Sequence, residues 1–577
     1  MWAALPAGGV VGRFRQRALK ALGSRARRLA CVLTGDLPCS ERAKELPHHC
    51  ESGRRCNEAA DCAWSAFEPF SVFRGFVLGV QRPGMSLVWC CPPVVPVSPH
   101  GDCAVELPWR DPADVFPLFC RLPHCVFLDS AAVHPSLGRY SYLASAPWRW
   151  IETPAAGADC LGELKRTLGE IHSPSLPGLP PFQGGAAGLL SFELRHAFED
   201  LPEARYNELA MPAVAMGVYD VVFAFDHFQR RAWGISRGWP AETPSRRPAV
   251  AQERWEFFRR FLAAGQPERP SEPCVAAALS PATADAGSRA VLTAPRYPCG
   301  SLEGVRSTFS REGYLAAAQR AIDYIRAGDV FQVNLAQELI VPSRCRADKL
   351  YLNVRRCDGA PFGGYFDLGR YQIVSASPEL FLKVDDGIVH TRPIKGTRRR
   401  CGDSAVDSES ARSLLASEKD RAENIMIVDL LRNDLSRVCR PESIAIRQLC
   451  AIEEYRHVIH LVSAVEGRLS ADADIGDLIA AVFPGGSVTG APKIRATEII
   501  SELEPTARGA YCGSLGFIGA DGRAELNLLI RTITAGGGWW RFSVGGGIVA
   551  QSEPERELQE TMDKAAGLLA AIEAIAR

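Results

Sequence analysis

The sequence has no excess of charge of either sign: 66 basic side chains face 66 acidic ones, and the formal net charge is zero. General nucleic-acid binding rests on a basic excess that neutralises phosphates, so that class of function is excluded. Also missing is any apolar run of about 18 residues, the length a membrane-spanning helix requires. No disulfide framework is expected. The 19 cysteines are an odd number in a chain of 577 residues, ten of them between Cys31 and Cys125 and the other nine scattered singly. Secreted disulfide scaffolds are short and densely paired, so the main body reads as a protein of a reducing compartment, the cytoplasm. The group His48, His49, Cys50, Cys56 and Cys62 lacks the paired short loops of usual zinc sites, and no metal is expected there.

What is present is ordinary for a globular protein, with 47% hydrophobic and 23% charged residues. The length admits two or more domains or one large interleaved one. The first 35 residues carry seven basic side chains and no acid, with Ser24 as their single serine. An arginine-rich, acid-free start suits an organelle-targeting segment, although such segments are also rich in serine; an unstructured extension is the competing reading. We assign residues 1–105 to an N-terminal extension without a function and 106–263 to a strand-rich first part. A linker rich in Ala, Pro, Ser and Gly covers 264–306, and 307–577 form the second part.

The second part opens on a helix, with Ser310 as its N-cap and Gly328 as a left-handed stop. Tyr314, Ala317, Ala318, Ala321, Ile322 and Ile325 recur in it at helical spacing. "VFQVNLAQELIV" alternates as a strand. "SEKDRAENIMIVDLLRND" and "EPERELQETMDKAAGLLAAIEAI" read as helices. Strand-like runs lie between them, "YRHVIHLVSAVEGRL", "AYCGSLGFIG", "ELNLLIRTITA" and "WRFSVGGGIVA". Strands grouped in sheets with helices outside give an α+β architecture.

Several groupings suit chemistry. Glu557, Glu560 and Lys564 share one face of the last helix, just after Gly545, Gly546 and Gly547, where backbone can come close to a ligand. Asp420 and Glu423 repeat the i, i+3 spacing on an earlier helix. An exposed ion-pair face is the commoner meaning of any one such helix. Two pairs on two helices are able to hold one Mg²⁺, which prefers one or two carboxylates plus water and substrate oxygens. The loop of Gly485, Gly486, Ser487, Thr489 and Gly490 precedes a helix whose N-terminus offers N–H groups to an anion. It lacks the G-x-x-x-x-G-K-[ST] pattern of a nucleotide loop, and a tight structural turn is the alternative. His460, Tyr511 and Arg531 are further single candidates. Finally, "HTRPIKGTRRR" sets Lys395 close to Arg398, Arg399 and Arg400. Cationic neighbours and burial both disfavour an ammonium, and a neutral lysine is a usable nucleophile; a basic surface turn is the ordinary reading of such a run.

The motifs "FQVNLAQEL", "SASPELFL", "RPIKGT", "AENIMIVDLLRNDL", "VIHLVS", "FPGGSVTGAPKIRATEI", "GSLGF", "VGGGIVAQSEPERELQET" and "DKA" occur in this order. Together they resemble the chorismate-utilising enzymes, densely from about residue 308 to 572 and more loosely from about 106 to 240. The resemblance implies a two-layer antiparallel β-sandwich with helices packed outside, the fold of anthranilate synthase component I, with the active site in its cleft.

Members of that family differ at two positions. Anthranilate synthases have alanine where Lys395 stands, whereas isochorismate and salicylate synthases keep a lysine base where this chain has Gln332. Gln332 with Lys395 resembles the aminodeoxychorismate synthases, component I. That resemblance implies a nucleophilic Lys395, Glu379 as the acid for the C4 hydroxyl of chorismate, and His460 orienting or polarising the ring region. It implies Mg²⁺ held by Glu423 and Glu560, with Asp420 and Glu557 in or near the ligand set. Gln332, Ser487, Tyr511, Arg531, Lys564 and Gly545, Gly546 and Gly547 would contact substrate. No glutaminase nucleophile turn "G-x-C-x-G-x-Q" and no pyridoxal-dependent lyase region is visible. Ammonia is therefore expected free or from a separate glutamine amidotransferase subunit, and pyruvate loss from a separate aminodeoxychorismate lyase. Anthranilate synthase component I and a non-catalytic binding subunit are the alternatives. "VFLDSA", Val126 to Ala131, resembles an effector-pocket segment of anthranilate synthases and leaves open whether tryptophan binds there to regulate or to support the fold.

Overall fold

The computed structural model describes residues 89–98, 101–132, 137–155, 159–241, 243–264, 289–299, 304–455 and 458–576. The His48–Cys62 group and the basic first 35 residues lie outside these. Among the described residues, strands form two sheets of 14 and 10 strands, and every pairing between named strands is antiparallel. The expected two layers are present. Tyr142 and Phe366 of the larger sheet pack against Phe517 and Trp150 of the smaller one, with ring centroids 5.5 and 5.8 Å apart. Gly188 is required at this seam, since a Cβ there would lie 2.9 Å from the Phe366 ring.

Helices cover the outer faces. Pro112–Phe119, Arg247–Ala264, Ala347–Cys357 and Pro554–Ala576 bury Phe116, Trp255, Leu350 and Leu568 against the larger sheet. Glu418–Ser436 and Ile475–Val482 cover the smaller sheet with Val428, Leu435, Leu478 and Ile479. Local signals place the helix ends well. Arg311–Ala327 is capped by Ser310, whose hydroxyl accepts from Gly313 N at 3.0 Å, and stops at Gly328 with φ +90°. Glu418–Ser436 is capped in the same way by Ser417. Among the described residues no helix is long and apolar enough to cross a membrane.

Residues from 106–263 and from 307–577 interleave in both sheets. Val126–Asp129 pairs with Gly363–Asp367 in the larger sheet, and Gly185–Leu190 pairs with Ser514–Gly519 in the smaller. Two runs that read as single strands are each split between the sheets. "MGVYDVVFAFD" changes sheet at Asp220, between Val214–Tyr219 and Val221–Asp226. "ELNLLIRTITA" changes at 528–531, between Ala524–Asn527 and Thr532–Gly536. Period-2 alternation reports which side of a strand is buried, not which sheet the strand joins.

The boundary at residue 105 falls inside the strand Cys103–Leu107, which pairs with Arg231–Ser236. Trp89 is 1% exposed, donates its backbone N–H to Leu262 O at 3.0 Å and stacks on Phe225. Part of the linker is structured too: Arg296 lies 2.7 Å from both Glu208 and Glu338 in a buried ion-pair group. Residues 265–288 and 300–303 lie outside the described set. Trp89→Ala should cost about 3–5 kcal/mol of stability by chemical denaturation, the range for deleting a buried aromatic; a loss below about 1 kcal/mol would show that residues before 106 do not belong to the core.

Candidate active site

Lys395 lies where the strand Ile394–Arg399 departs from regular pairing. Against Val458–Arg468 the register runs Ile394↔Val462 and then Thr397↔His460, so that Lys395 and Gly396 together face Leu461. Such a bulge bends the strand and re-aims a side chain. Gly396 makes it possible, with φ +84° and no room for a Cβ, which would meet Leu414 at 2.8 Å and Asp420 at 3.0 Å. Part of Lys395 stays open to solvent, while its Nζ turns inward and donates to Ser487 O at 2.9 Å.

Glu379 arrives from another sheet change. Gln372–Ser375 belongs to the larger sheet and Leu380–Asp385 to the smaller, and Glu379 ends the link between them. This link runs beside the crossover at 528–531: Leu528 N donates to Glu379 O at 3.0 Å, and Ala376 N to Arg531 O at 3.1 Å. The Glu379 carboxylate accepts from the Ser487 hydroxyl at 2.9 Å. One serine thus holds the acid through its side chain and the lysine through its carbonyl.

The electrostatics push both groups toward neutrality. Burial raises the Glu379 pKa to about 7, although the Ser487 hydroxyl, Lys395 and the Ile394 backbone each pull it down. Burial lowers that of Lys395, with Lys564 adding repulsion and Glu423 and Glu379 opposing. The nearby arginines are not the cause. Arg398 is paired with Asp420, and Arg400 with Asp407 and Glu454. His460, 3% exposed, meets Thr397 Oγ1 through Nδ1 at 2.8 Å. Burial and the charge of Arg531 lower its pKa to about 3, which disfavours the charged ring.

The carboxylates gather around Gly546, on the strand Trp539–Ile548. A Cβ there would lie 3.3 Å from Glu557 Oε2, 3.5 Å from Glu560 Oε1 and 3.8 Å from Lys564 Nζ. The expected shared helix face is therefore formed. Gly547 leaves space for the Gln332 amide, which would be 1.8 Å from a Cβ, and Gly545 lies against Leu335 O and Ala336. Gln332 reaches Glu423 Oε2 at 3.4 Å. Lys564 donates to Gly545 O at 2.8 Å and pairs with Glu560 at 2.8 Å. Burial raises the Glu423 pKa against the pull of Lys395 and Lys419. Burial acts the same way on Glu560, but Lys564, Lys419 and Lys395 outweigh it and its pKa falls.

Among the described residues no three His, Cys, Asp or Glu side chains are drawn together tightly enough to hold an ion by themselves. Mg²⁺ does not demand that, since it keeps waters and takes substrate oxygens. Glu557 is 3% exposed, and its Oε2 has no hydrogen-bond partner. A buried carboxylate oxygen left bare is costly unless a cation meets it, so Glu423, Glu557 and Glu560 fit the group. Asp420 stands nearby with Arg398 at 3.3 Å.

Other placements are more peripheral. Tyr511 is buried in a hydrophobic cluster beside the Arg508 guanidinium, 5.5 Å from its ring centroid. Arg531 has φ +50° at the sheet change and faces Asp358 at 3.5 Å. In "VFLDSA", Asp129 accepts from Tyr351 at 2.8 Å, Arg355 at 2.6 Å and Ser141 at 3.0 Å, so its polar needs are met within the protein.

Some contacts escape the motif reading. Asn334 Nδ2 donates to Ser487 O at 3.3 Å, and Lys419 lies 4.0 Å from Glu423. Strand alternation from Gln332 reaches Asn334, and i, i+4 spacing from Glu423 reaches Lys419. Arg508 donates to Val488 O and Asn334 O, both at 2.9 Å, fixing the backbone around Ser487; no local pattern signals that role.

A family model described as chorismate binding enzyme matches residues 138–570. Anthranilate synthase component 1 of Thermus thermophilus is 41% identical over 69% of this chain and 79% of its own length. Aminodeoxychorismate synthase component 1 of Salmonella typhimurium is 35% identical over 81% of this chain and 98% of its own. The crystal structure of anthranilate synthase component I from Streptococcus pneumoniae superposes with a TM-score of 0.61 at 28% identity, covering 76% of this chain and 93% of that one.

Ser487→Ala removes the donor that restrains Glu379, so the carboxyl should titrate above its present value of about 7. Ser487→Thr, which keeps a hydroxyl, should leave it nearly in place. Infrared difference spectra across pH read this directly; an unmoved or lowered carboxyl in the alanine variant would contradict the assignment.

Proposed function

This chain belongs to the chorismate binding enzymes, and from that membership we propose that it exchanges the C4 hydroxyl of chorismate for an amine, giving 4-amino-4-deoxychorismate. The observation that carries the reading is the pair of a half-buried lysine, its amine turned inward, and a buried glutamate, both held by one serine and shifted toward their neutral forms.

Neutral Lys395 is the nucleophile that attacks C2 of the ring. Protonated Glu379 gives its proton to the departing C4 hydroxyl, which leaves as water. Ammonia then adds at C4, the electron pair of the C2 bond returns to Lys395 as the free amine, and the new C4 ammonium gives a proton back to the Glu379 carboxylate. One ammonia enters and one water leaves. Neutral His460 orients the ring region, while Arg531, Lys564 and Tyr511 attract the substrate carboxylates. Mg²⁺, held by Glu423, Glu557 and Glu560 with Asp420 near them, would anchor the ring carboxylate. As a component 1 the protein would receive ammonia from a separate glutamine amidotransferase subunit, and a separate lyase would take the product to 4-aminobenzoate for folate synthesis.

The second reading is anthranilate synthase component I, favoured by the 41% identity to the Thermus protein. Lys395 argues for the first reading, because alanine is the residue expected there in anthranilate synthases. Incubation with chorismate, Mg²⁺ and ammonium separates the two. We expect aminodeoxychorismate and no fluorescent 2-aminobenzoate; direct 2-aminobenzoate would overturn the reading. Without ammonia, intact-protein mass should show a chorismate-derived adduct that is absent from Lys395→Ala.

The pH dependence follows from the protonation states required. Glu379 must hold its proton, which it loses as pH rises through about 7, so turnover falls on the alkaline side. Glu379→Gln should lower kcat by roughly 10²–10⁴-fold, the span of general acid catalysis, and abolish that alkaline fall. A fall that persists in the variant would assign the acid to another group.

A further inference from the structure

We propose that Lys419 is a built-in competitor for the metal: its ammonium neutralises the carboxylate cluster of the free enzyme and has to leave when Mg²⁺ binds. The inference rests on the reading of Glu423, Glu557 and Glu560 as metal-holding residues.

Lys419 stands in the first turn of the helix Glu418–Ser436, one turn before Glu423. Its Nζ is 4.0 Å from Glu423 Oε1 on its own helix and 3.6 Å from Glu557 Oε1 on the helix Pro554–Ala576. A single ammonium thus joins the two helices whose acids would share the ion. Glu560 and Asp420 attract it as well. Both contacts exceed hydrogen-bond length, so the ammonium is drawn in by charge without being fixed by directed bonds.

The other lysines at the cluster are held differently. Lys564 donates to Gly545 O and Lys395 to Ser487 O, at 2.8 and 2.9 Å. Among the described residues Lys419 has no such backbone anchor, and its side chain is 49% exposed. It can swing into solvent without leaving a buried donor behind. Mg²⁺ binds oxygens at about 2.0–2.1 Å, so an ammonium within 4.0 Å of Glu423 and Glu557 would face the ion across the same carboxylates. The bare Oε2 of Glu557 shows that one lysine does not satisfy the cluster. Linkage is reciprocal: whatever Lys419 costs the metal, the metal costs the Lys419 pairing.

Two measurements on the full chain without chorismate test this. Calorimetric titration with MgCl₂ should give an affinity about two- to fivefold tighter for Lys419→Met than for wild type, the scale of one partly exposed ion pair, with Lys419→Arg near wild type. In wild type, Mg²⁺ should speed acetylation of Lys419 several-fold by peptide mass mapping, while Lys493, buried against Asp434, stays unchanged as the internal control. Simple repulsion at a distance would alter affinity without releasing the amine, so an unaccelerated Lys419 overturns the proposal, as does an unchanged affinity in Lys419→Met. If turnover still depends on Mg²⁺, either result overturns this proposal alone. If neither protein binds Mg²⁺ and turnover ignores it, the metal reading falls too.

Discussion

The candidate site depends on one physical constraint, the burial of the Lys395 amine and the Glu379 carboxyl, which disfavours charge on either. Desolvation acts on the two groups in opposite directions, lowering the pKa of the amine and raising that of the carboxyl. An ion pair between them would offset the cost, and each does pull the other toward charge. Burial still dominates, lowering the Lys395 pKa and raising that of Glu379 to about 7, so both groups are shifted toward their neutral forms. Ser487 makes this arrangement specific, because its carbonyl and hydroxyl fix the two groups to a single residue.

The fold supplies the pocket by changing sheets. Glu379 and Arg531 lie on links that leave one sheet for the other, and the two links are bonded side by side. Lys395 sits on a bulge rather than on regular strand. Irregular backbone is where side chains can be aimed out of the alternating pattern, and here the regular sheets on both sides hold it in place. The carboxylates come instead from helices, and Gly546 lets two of them and Lys564 converge over bare strand.

Much of this was legible in the sequence where local rules suffice. Ser310 and Gly328 bound their helix as expected, and Glu557, Glu560 and Lys564 meet on one face. Non-local features were not legible. Nothing in "ELNLLIRTITA" announces a change of sheet, and nothing local ties Trp89 to Phe225. The run of arginines beside Lys395 is not what lowers its pKa. Arg398 and Arg400 are neutralised by acids distant in sequence or seven residues on, and only the folded chain reveals that burial and Lys564 do the work.

The central claim concerns the charge of one amine, so the most direct measurement is the titration of Lys395 in the folded protein. The rate at which it reacts with a small acylating reagent, followed by peptide mass across pH, reports its free-amine fraction. The account predicts a midpoint below the 10.5 of an ordinary lysine, and below that of surface lysines in the same sample. A midpoint at or above 10.5 would contradict it.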